Sequence, residues 1–194
     1  TLLCLHNKKA VLCEKPFAMS SLQAQEMVAT ARKNQVFLME ALWSFFIPGV
    51  AAALKMAREG AVGPIHSLKS DFGFYSPYKP ESRLFNPKLG GGALLDIGIY
   101  PALLSLAVFG KPAEADMLAS ATFTRDGVDE SCAFLMKYPD NRLSISHATI
   151  AANTPVEATL YGSEGMIHLH TRWHHTPKVT VTRFDEAEPQ VYEF

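Results

Sequence analysis

The period of the apolar positions changes several times along the chain, and each change marks an element. Behind Ser20, the residues Ala24, Met27, Val28 and Ala31 recur at helical spacing, and Ser20 with Gln23 has the separation of a capping box. The helix predicted there stops near Asn34, a residue type that tolerates the left-handed cap conformation. Short apolar runs of strand character flank it, Ala10 to Cys13 and Val36 to Met39, and the first is closed by Glu14-Lys15-Pro16. The residues ahead of them read as the end of a helix already under way. Helix, strand, helix, strand is the tail of a βαβ arrangement, which predicts a parallel sheet.

Beyond Glu40 the pattern is different. Val50, Ala53, Leu54 and Ala57 mark a helix ending at Gly60, Gly63-Pro64 a turn, and Ile65 to Tyr75 a strand. A polar, proline-containing loop from Ser76 to Lys88 leads into Gly90-Gly91-Gly92, and Ala93 to Phe109 is apolar and helical for much of its length. Strand-like runs follow at 114–124, 129–138, 142–150, 155–161, 165–170 and 178–184, and the residues up to Phe194 read as strand again. Turns rich in Asn, Asp, Gly and Pro separate most of them, which predicts a largely antiparallel sheet. The division between the two patterns falls at Glu40 to Ser44, with one domain over residues 1–42 and another over 43–194.

Composition narrows what such a chain does. Apolar residues make up 48% and charged residues 19% of the 194, ample for a core. A formal net charge of −1 without a basic run offers no electrostatic attraction to nucleic acid or anionic lipid. The longest apolar stretch, around Ala102 to Phe109, is too short for the roughly 20 residues that span a bilayer, so no membrane segment is expected. Cys4, Cys13 and Cys132 lack CxxC spacing and read as reduced, buried, small side chains of a cytoplasmic protein. Thr1 to His6 has neither the basic start nor the cleavage site of a signal peptide.

Two motifs stand out for chemistry. Ligands of α/β sheets bind off the carboxyl ends of the strands, and Glu14-Lys15-Pro16 follows its apolar run at that end. The second motif is Gly90-Gly91-Gly92-Ala93-Leu94-Leu95-Asp96-Ile97-Gly98-Ile99-Tyr100. No Lys-Ser or Lys-Thr follows its glycines as in a phosphate loop, so close backbone approach before a helix explains them better. His168, His170, His174 and His175 invite a metal reading, but no carboxylate or cysteine completes a recognisable spacing, and no metal is expected. Alone, each candidate has a plain structural alternative: Lys15 as a solvated turn residue, Asp96 as a helix cap, Tyr100 as a buried ring, Trp43 as core.

Together the motifs resemble the Gfo/Idh/MocA family of glucose–fructose oxidoreductases and inositol dehydrogenases, which share an EKP motif and a GGG-x-L-x-D-x-G-x-H/Y motif. Within it the similarity is greatest to the dimeric dihydrodiol dehydrogenases. It runs through Ala10-Val11-Leu12-Cys13-Glu14-Lys15-Pro16, then Phe37-Leu38-Met39-Glu40-Ala41-Leu42-Trp43, then Gly91 to Asp96 and on to Tyr100. The resemblance implies a Rossmann domain remnant joined to an α+β domain with an open, mostly antiparallel sheet. It implies oxidation of a secondary hydroxyl of a diol or sugar with NADP, or NAD, as hydride acceptor, and a homodimer formed through the open sheet.

By the same resemblance, Lys15, Asp96 and Tyr100 are catalytic, and Glu14, Lys15, Pro16 and Trp43 contact the cofactor. Trp43, Phe72 and Asp96 contact substrate, with Phe74 a further wall. Free tyrosine titrates near ~10 and is a weak base at neutral pH; a neighbouring ammonium favours the phenolate and also stabilises a developing alkoxide. Lys15 and Tyr100 therefore make chemical sense as a pair. Asp96 either binds a substrate hydroxyl or orients Lys15, and it shares a helical face with Tyr100 unless Pro101 kinks the helix or starts it. No G-x-G-x-x-G occurs in the 194 residues, so the resemblance implies a fragment without the nucleotide-binding start and without the closing C-terminal elements. The alternatives left open are a sugar or inositol-type dehydrogenase and a non-catalytic dimerisation module.

Overall fold

In the computed structural model, which describes residues 1–113 and 116–194, the chain divides into two units, Thr1–Trp43 and Ser44–Phe194. The first holds α1 (Leu2–His6), β1 (Val11–Cys13), α2 (Ser21–Asn34) and β2 (Leu38–Glu40). Ser20 Oγ accepts the Gln23 N–H at 3.3 Å, and Gln23 Oε1 accepts the Met19 N–H at 3.0 Å, so the capping box forms with its return arm one residue early. Gln35, not Asn34, takes the left-handed cap, with φ 53°. β1 and β2 pair in parallel, Val11 with Leu38 through Cys13 with Glu40, because α2 supplies the crossover that parallel neighbours require. Met27 and Ala31 bury one face of α2, while Leu3, Leu12, Leu22 and Phe37 stay exposed. Cys132 is buried as expected, but Cys4 is exposed and Cys13 half-buried, since α1 turns Cys4 to solvent.

The second unit begins with a 3₁₀ turn that crosses the boundary, Trp43–Phe46, and α3 (Pro48–Arg58), whose first-turn proline lacks only an N–H that has no intrahelical partner anyway. β3 (Ile65–Gly73) follows, then 3₁₀ and π turns leading into α4 (Ile99–Phe109). The remaining strands are β4 (Met117–Phe123), β5 (Asp129–Tyr138), β6 (Arg142–Thr149) and β7 (Ala158–Gly162). β8 (Gly165–Leu169), β9 (Lys178–Arg183) and β10 (Gln190–Glu193) complete them. The run expected over 114–124 starts on Glu114 and Ala115, which lie outside the described residues. The run expected from 155 starts instead at Ala158, because Asp71 takes the backbone N–H groups of Val156 and Glu157 at 2.8 and 3.2 Å.

Among the described residues eight strands form one sheet in the order β10-β9-β8-β7-β3-β6-β5-β4. Only β3 and β6 run parallel there; every other neighbouring pair is antiparallel. One face packs under helices, α4 on β3 and β6 and α3 on β8 and β9; its cross-strand row Met136, Ser144, Leu68, Leu160, Ile167 and Val181 is buried. The neighbouring row, Leu118, Leu135, Ile145, Lys69, Thr159, His168, Thr180 and Val191, points to the opposite face.

Two expectations about the helical segment change. The helical turns from Pro87 to Phe109 make a 23-residue run whose most apolar 18-residue window has a mean hydropathy of 1.8, long and apolar enough by composition to cross a membrane, which the shorter stretch read from sequence was not. More than half of its most apolar window is buried in the protein. Pro101 neither breaks nor starts this helix. The residues before it, Leu94–Gly98, form a π turn, whose wider hydrogen-bond spacing lets the chain carry a residue without an N–H through the next turn.

Candidate active site

Each unit carries part of the expected site. In the first, Glu14, Lys15 and Pro16 leave the carboxyl end of β1, and the Lys15–Pro16 bond is cis. The end of β2 lies beside them: Cys13 pairs with Glu40, and Glu40 Oε1 accepts the Phe17 N–H at 2.9 Å. Burial pushes the Glu40 carboxyl above its usual range, and the Phe17 N–H partly offsets this. Glu40 therefore fastens the far side of the turn that carries Lys15. Trp43, also in this unit, is 39% exposed at the end of its segment.

In the second unit the structure brings together Asp96, Tyr100 and Phe72. Asp96 sits in the π turn and Tyr100 in the first turn of α4, both buried. π turns place their side chains off the regular helical stripe and recur at functional sites. Phe72, near the end of β3, has its ring centroid 5.4 Å from that of Tyr100. Phe74 packs instead against the core cluster of Phe85, Ala93, Ile97, Cys132, Ala148 and Ile150, as does part of Phe72.

The glycines ahead of the π turn serve close approach. A Cβ on Gly91 would lie 2.7 Å from the Leu84 carbonyl oxygen, and Gly92 has φ +112° with the Asp129 carboxylate where its Cβ would point. Asp129 in turn accepts the Leu94 N–H at 2.6 Å and so caps the start of the helical segment. Burial raises the Asp129 carboxyl despite that bond, and burial together with Asp129 pushes the Cys132 thiol up to about 12.

Three residues had no role read from the sequence: His174 and Arg83, beside Tyr100 and Asp96 in the second unit, and Glu40, which braces the Lys15 turn in the first. His174 stacks on Phe72 at 4.4 Å and lies 5.3 Å from Tyr100, ring centroid to centroid. It is presented by a 3₁₀ turn, Trp173–His175, that is pinned to β3 through the Trp173 indole N–H on the Asp71 carbonyl at 3.0 Å. Arg83, from the polar loop over 76–88, donates to Asp96 at 2.8 Å. Glu40 was part of a quoted motif but had no role assigned. His168 and His170 lie with ring centroids 4.4 Å apart and hydrogen-bond to Thr159 at 2.9 Å and Thr180 at 2.7 Å respectively.

Known proteins resemble this chain in sequence and fold. Residues 50–168 match the GFO/IDH/MocA C-terminal domain, and residues 1–42 match the oxidoreductase family's NAD-binding Rossmann fold. The trans-1,2-dihydrobenzene-1,2-diol dehydrogenase of Xenopus tropicalis is 39% identical over 168 residues, 87% of this chain and 50% of its own length. The chain thus spans about half the length of the curated relatives it matches. A 3-ketoreductase from Actinomadura kijaniata, solved with NADP and TDP-benzene, superposes with a TM-score of 0.82 at 28% identity, covering 99% of this chain and 60% of that one. The aldose–aldose oxidoreductase of Caulobacter crescentus, solved with glycerol, shares the fold with a TM-score of 0.88 at 23% identity, covering 99% and 58%. With its helix-covered open sheet, its parallel strand pair ending in Glu-Lys-Pro and its glycine-led π turn, the chain belongs to the Gfo/Idh/MocA oxidoreductase family.

Proposed function

We propose that the protein carrying this chain oxidises a secondary hydroxyl of a diol or sugar, with NADP or NAD as hydride acceptor. The observation that carries the reading is the buried Asp96–Tyr100 turn walled by the rings of Phe72 and His174. A phenol and a carboxylate about one turn apart beside flat rings suit a ring-shaped polyol, whose hydroxyls need acceptors and whose apolar face needs a platform. In this reading Tyr100 takes the hydroxyl proton. Lys15 favours its phenolate form and stabilises the alkoxide, and Asp96 binds a second substrate hydroxyl or orients Lys15. Trp43 adds to the wall.

The first unit fits the nicotinamide end of a dinucleotide. Its parallel strands end together at Cys13 and Glu40, and ligands of such sheets lie off those ends. Glu14, Lys15, Pro16 and Trp43 would hold it there. When bound, the nicotinamide supplies the acceptor for hydride. Relatives named as diol dehydrogenases and a fold relative solved with NADP support this assignment. Three free thiols suit a reducing, cytoplasmic setting.

The test is turnover by the full gene product that carries these residues, followed as reduced dinucleotide with trans-dihydrodiols and aldoses. Tyr100→Phe is expected to lower kcat by about 10²- to 10⁴-fold, the usual worth of a general acid–base group, with dinucleotide affinity retained. Undiminished turnover in that variant refutes the assignment.

A homodimer through the outer sheet face is the second part of the proposal. Leu118, Ile145, Tyr161 and Val191 are exposed on the face that the helices leave open, 63%, 44%, 39% and 52% respectively, and cross-strand neighbours Leu118, Leu135 and Ile145 make its β4–β6 end apolar. Ile145→Glu is expected to shift the sedimenting species from dimer to monomer; a wild-type monomer ends this reading. A stable dimer without dinucleotide affinity would instead favour the non-catalytic dimerisation module.

A further inference from the structure

One ion pair reaches the candidate site from a segment that the function above leaves unused. Arg83 Nη2 donates to Asp96 Oδ1 at 2.8 Å, with the carboxylate side chain 9% exposed and the guanidinium side chain 56%. Exposed pairs contribute little as a rule, but here one partner is buried, and a buried carboxylate needs donors.

The approach of the loop is built into the backbone. Gly92 N–H donates to the Leu84 carbonyl at 2.9 Å and Gly91 N–H to the Asn86 carbonyl at 3.0 Å. A Cβ on Gly91 would come within 2.9 Å of the Arg83 carbonyl oxygen and within 2.7 Å of that of Leu84. The glycines thus let residues 83–86 close on the segment that leads to Asp96. Two residues after Arg83, Phe85 is 1% exposed and fixed in the core cluster with Ala93 and Ile97, so the loop cannot lift there without leaving a cavity. At the loop's other end the Tyr78 hydroxyl donates to Asp126, and the Arg125 guanidinium lies 4.4 Å from the Tyr78 ring centroid.

Resting on the function proposed above, we propose that Arg83 is a positioning residue: it holds the Asp96 carboxylate in one orientation toward the substrate hydroxyl and acts through Asp96 alone. A guanidinium suits the task because its planar fork fixes direction as well as charge, which an ammonium does not. The 76–88 loop thereby becomes part of the substrate-reading apparatus, joined to the π turn by the charge-assisted Arg83–Asp96 bond.

The experiment is a double-mutant cycle in the full gene product, with KM for the hydroxyl substrate, KM for the dinucleotide and kcat measured separately. Arg83→Gln is expected to raise the substrate KM by about 10- to 100-fold, the scale of one lost hydrogen bond to a charged group, and to leave the dinucleotide KM unchanged. Arg83→Lys restores part of the loss, and Arg83→Gln in an Asp96→Asn background adds nothing further. A purely structural role would lower the yield of active enzyme and leave both KM values in place. Wild-type kinetics in Arg83→Gln, or additive effects in the double variant, overturn this inference while leaving the dehydrogenase reading intact. A wild-type protein without dinucleotide-dependent turnover overturns both. If Arg83→Gln fails to fold, a substrate KM for Arg83→Lys equal to that of the wild type is the overturning result, and an elevated one supports the inference.

Discussion

Residues 44–194 bury a continuous apolar layer under α3 and α4, whereas residues 1–43 leave large apolar side chains in solvent. In the second unit Leu68, Leu160, Ile167 and Phe85 are all within 1% of full burial; in the first, Leu3, Leu12, Leu22 and Phe37 are 77%, 65%, 74% and 62% exposed. Parallel strands are normally covered on both faces, and two strands alone are marginal. The first unit is therefore organised by local signals, a cap, a crossover and a turn clamp, and the second by long-range packing. The candidate residues show the contrast too: the Lys15 turn is clamped by one hydrogen bond from the neighbouring strand, Phe17 N–H on Glu40, while Tyr100 is set in its unit by the rings of Phe72 and His174.

Substitutions can break or sharpen that contrast. Phe85→Ala in the second unit is expected to cost about 3–5 kcal/mol of unfolding free energy, as buried aromatic truncations do, whereas Phe37→Ala in the first stays within about 0.5 kcal/mol, as exposed changes do. Equal losses in denaturant titrations would end the distinction. Gly92→Ala sets a side chain at φ +112° against Asp129 and is expected to cost about 1–3 kcal/mol; a variant as stable as the parent would show that the loop shifts freely. Ser20→Ala removes the cap of α2 and is expected to cost about 1 kcal/mol, seen as faster amide exchange confined to α2.

The smallest effects concern pH. Glu40 and Asp129 have carboxyls raised by burial, so folding favours their protonated forms. The stability this contributes is complete below the unfolded carboxylate range and is lost as pH rises through the raised folded values. Glu40→Gln and Asp129→Asn should each flatten that decline in thermal-melt profiles. A profile as steep as that of the wild type would locate the dependence elsewhere.

Much of the architecture was legible along the chain because its signals are local. The Ser20–Gln23 cap, the parallel order around α2, the long hairpin strands from Asp129 to Thr149 and the close approach at Gly90–Gly92 all follow from residue type and spacing. What went unread depends on partners far apart. The shortening of β7 comes from Asp71, 85 and 86 residues from the backbone groups it binds. The loop over 76–88 has no period, yet Phe85 and Arg83 give it a core anchor and an ion pair. A π turn leads into α4 at Ile99, so the helix does not start at Pro101, and Tyr100 is helical against the preference of the residue before proline.

By itself, the sequence determined the family and the alternation that makes one sheet face apolar, and it proposed the candidate acid–base and carboxylate residues, because motif, spacing and period are properties of neighbouring positions. Only the tertiary structure decided that His174 stands beside Tyr100, that Arg83 grips Asp96, and which apolar residues find cover. Those outcomes depend on which strands meet in register across the sheet, and a free energy shared among distant side chains leaves no periodic trace in the order of residues.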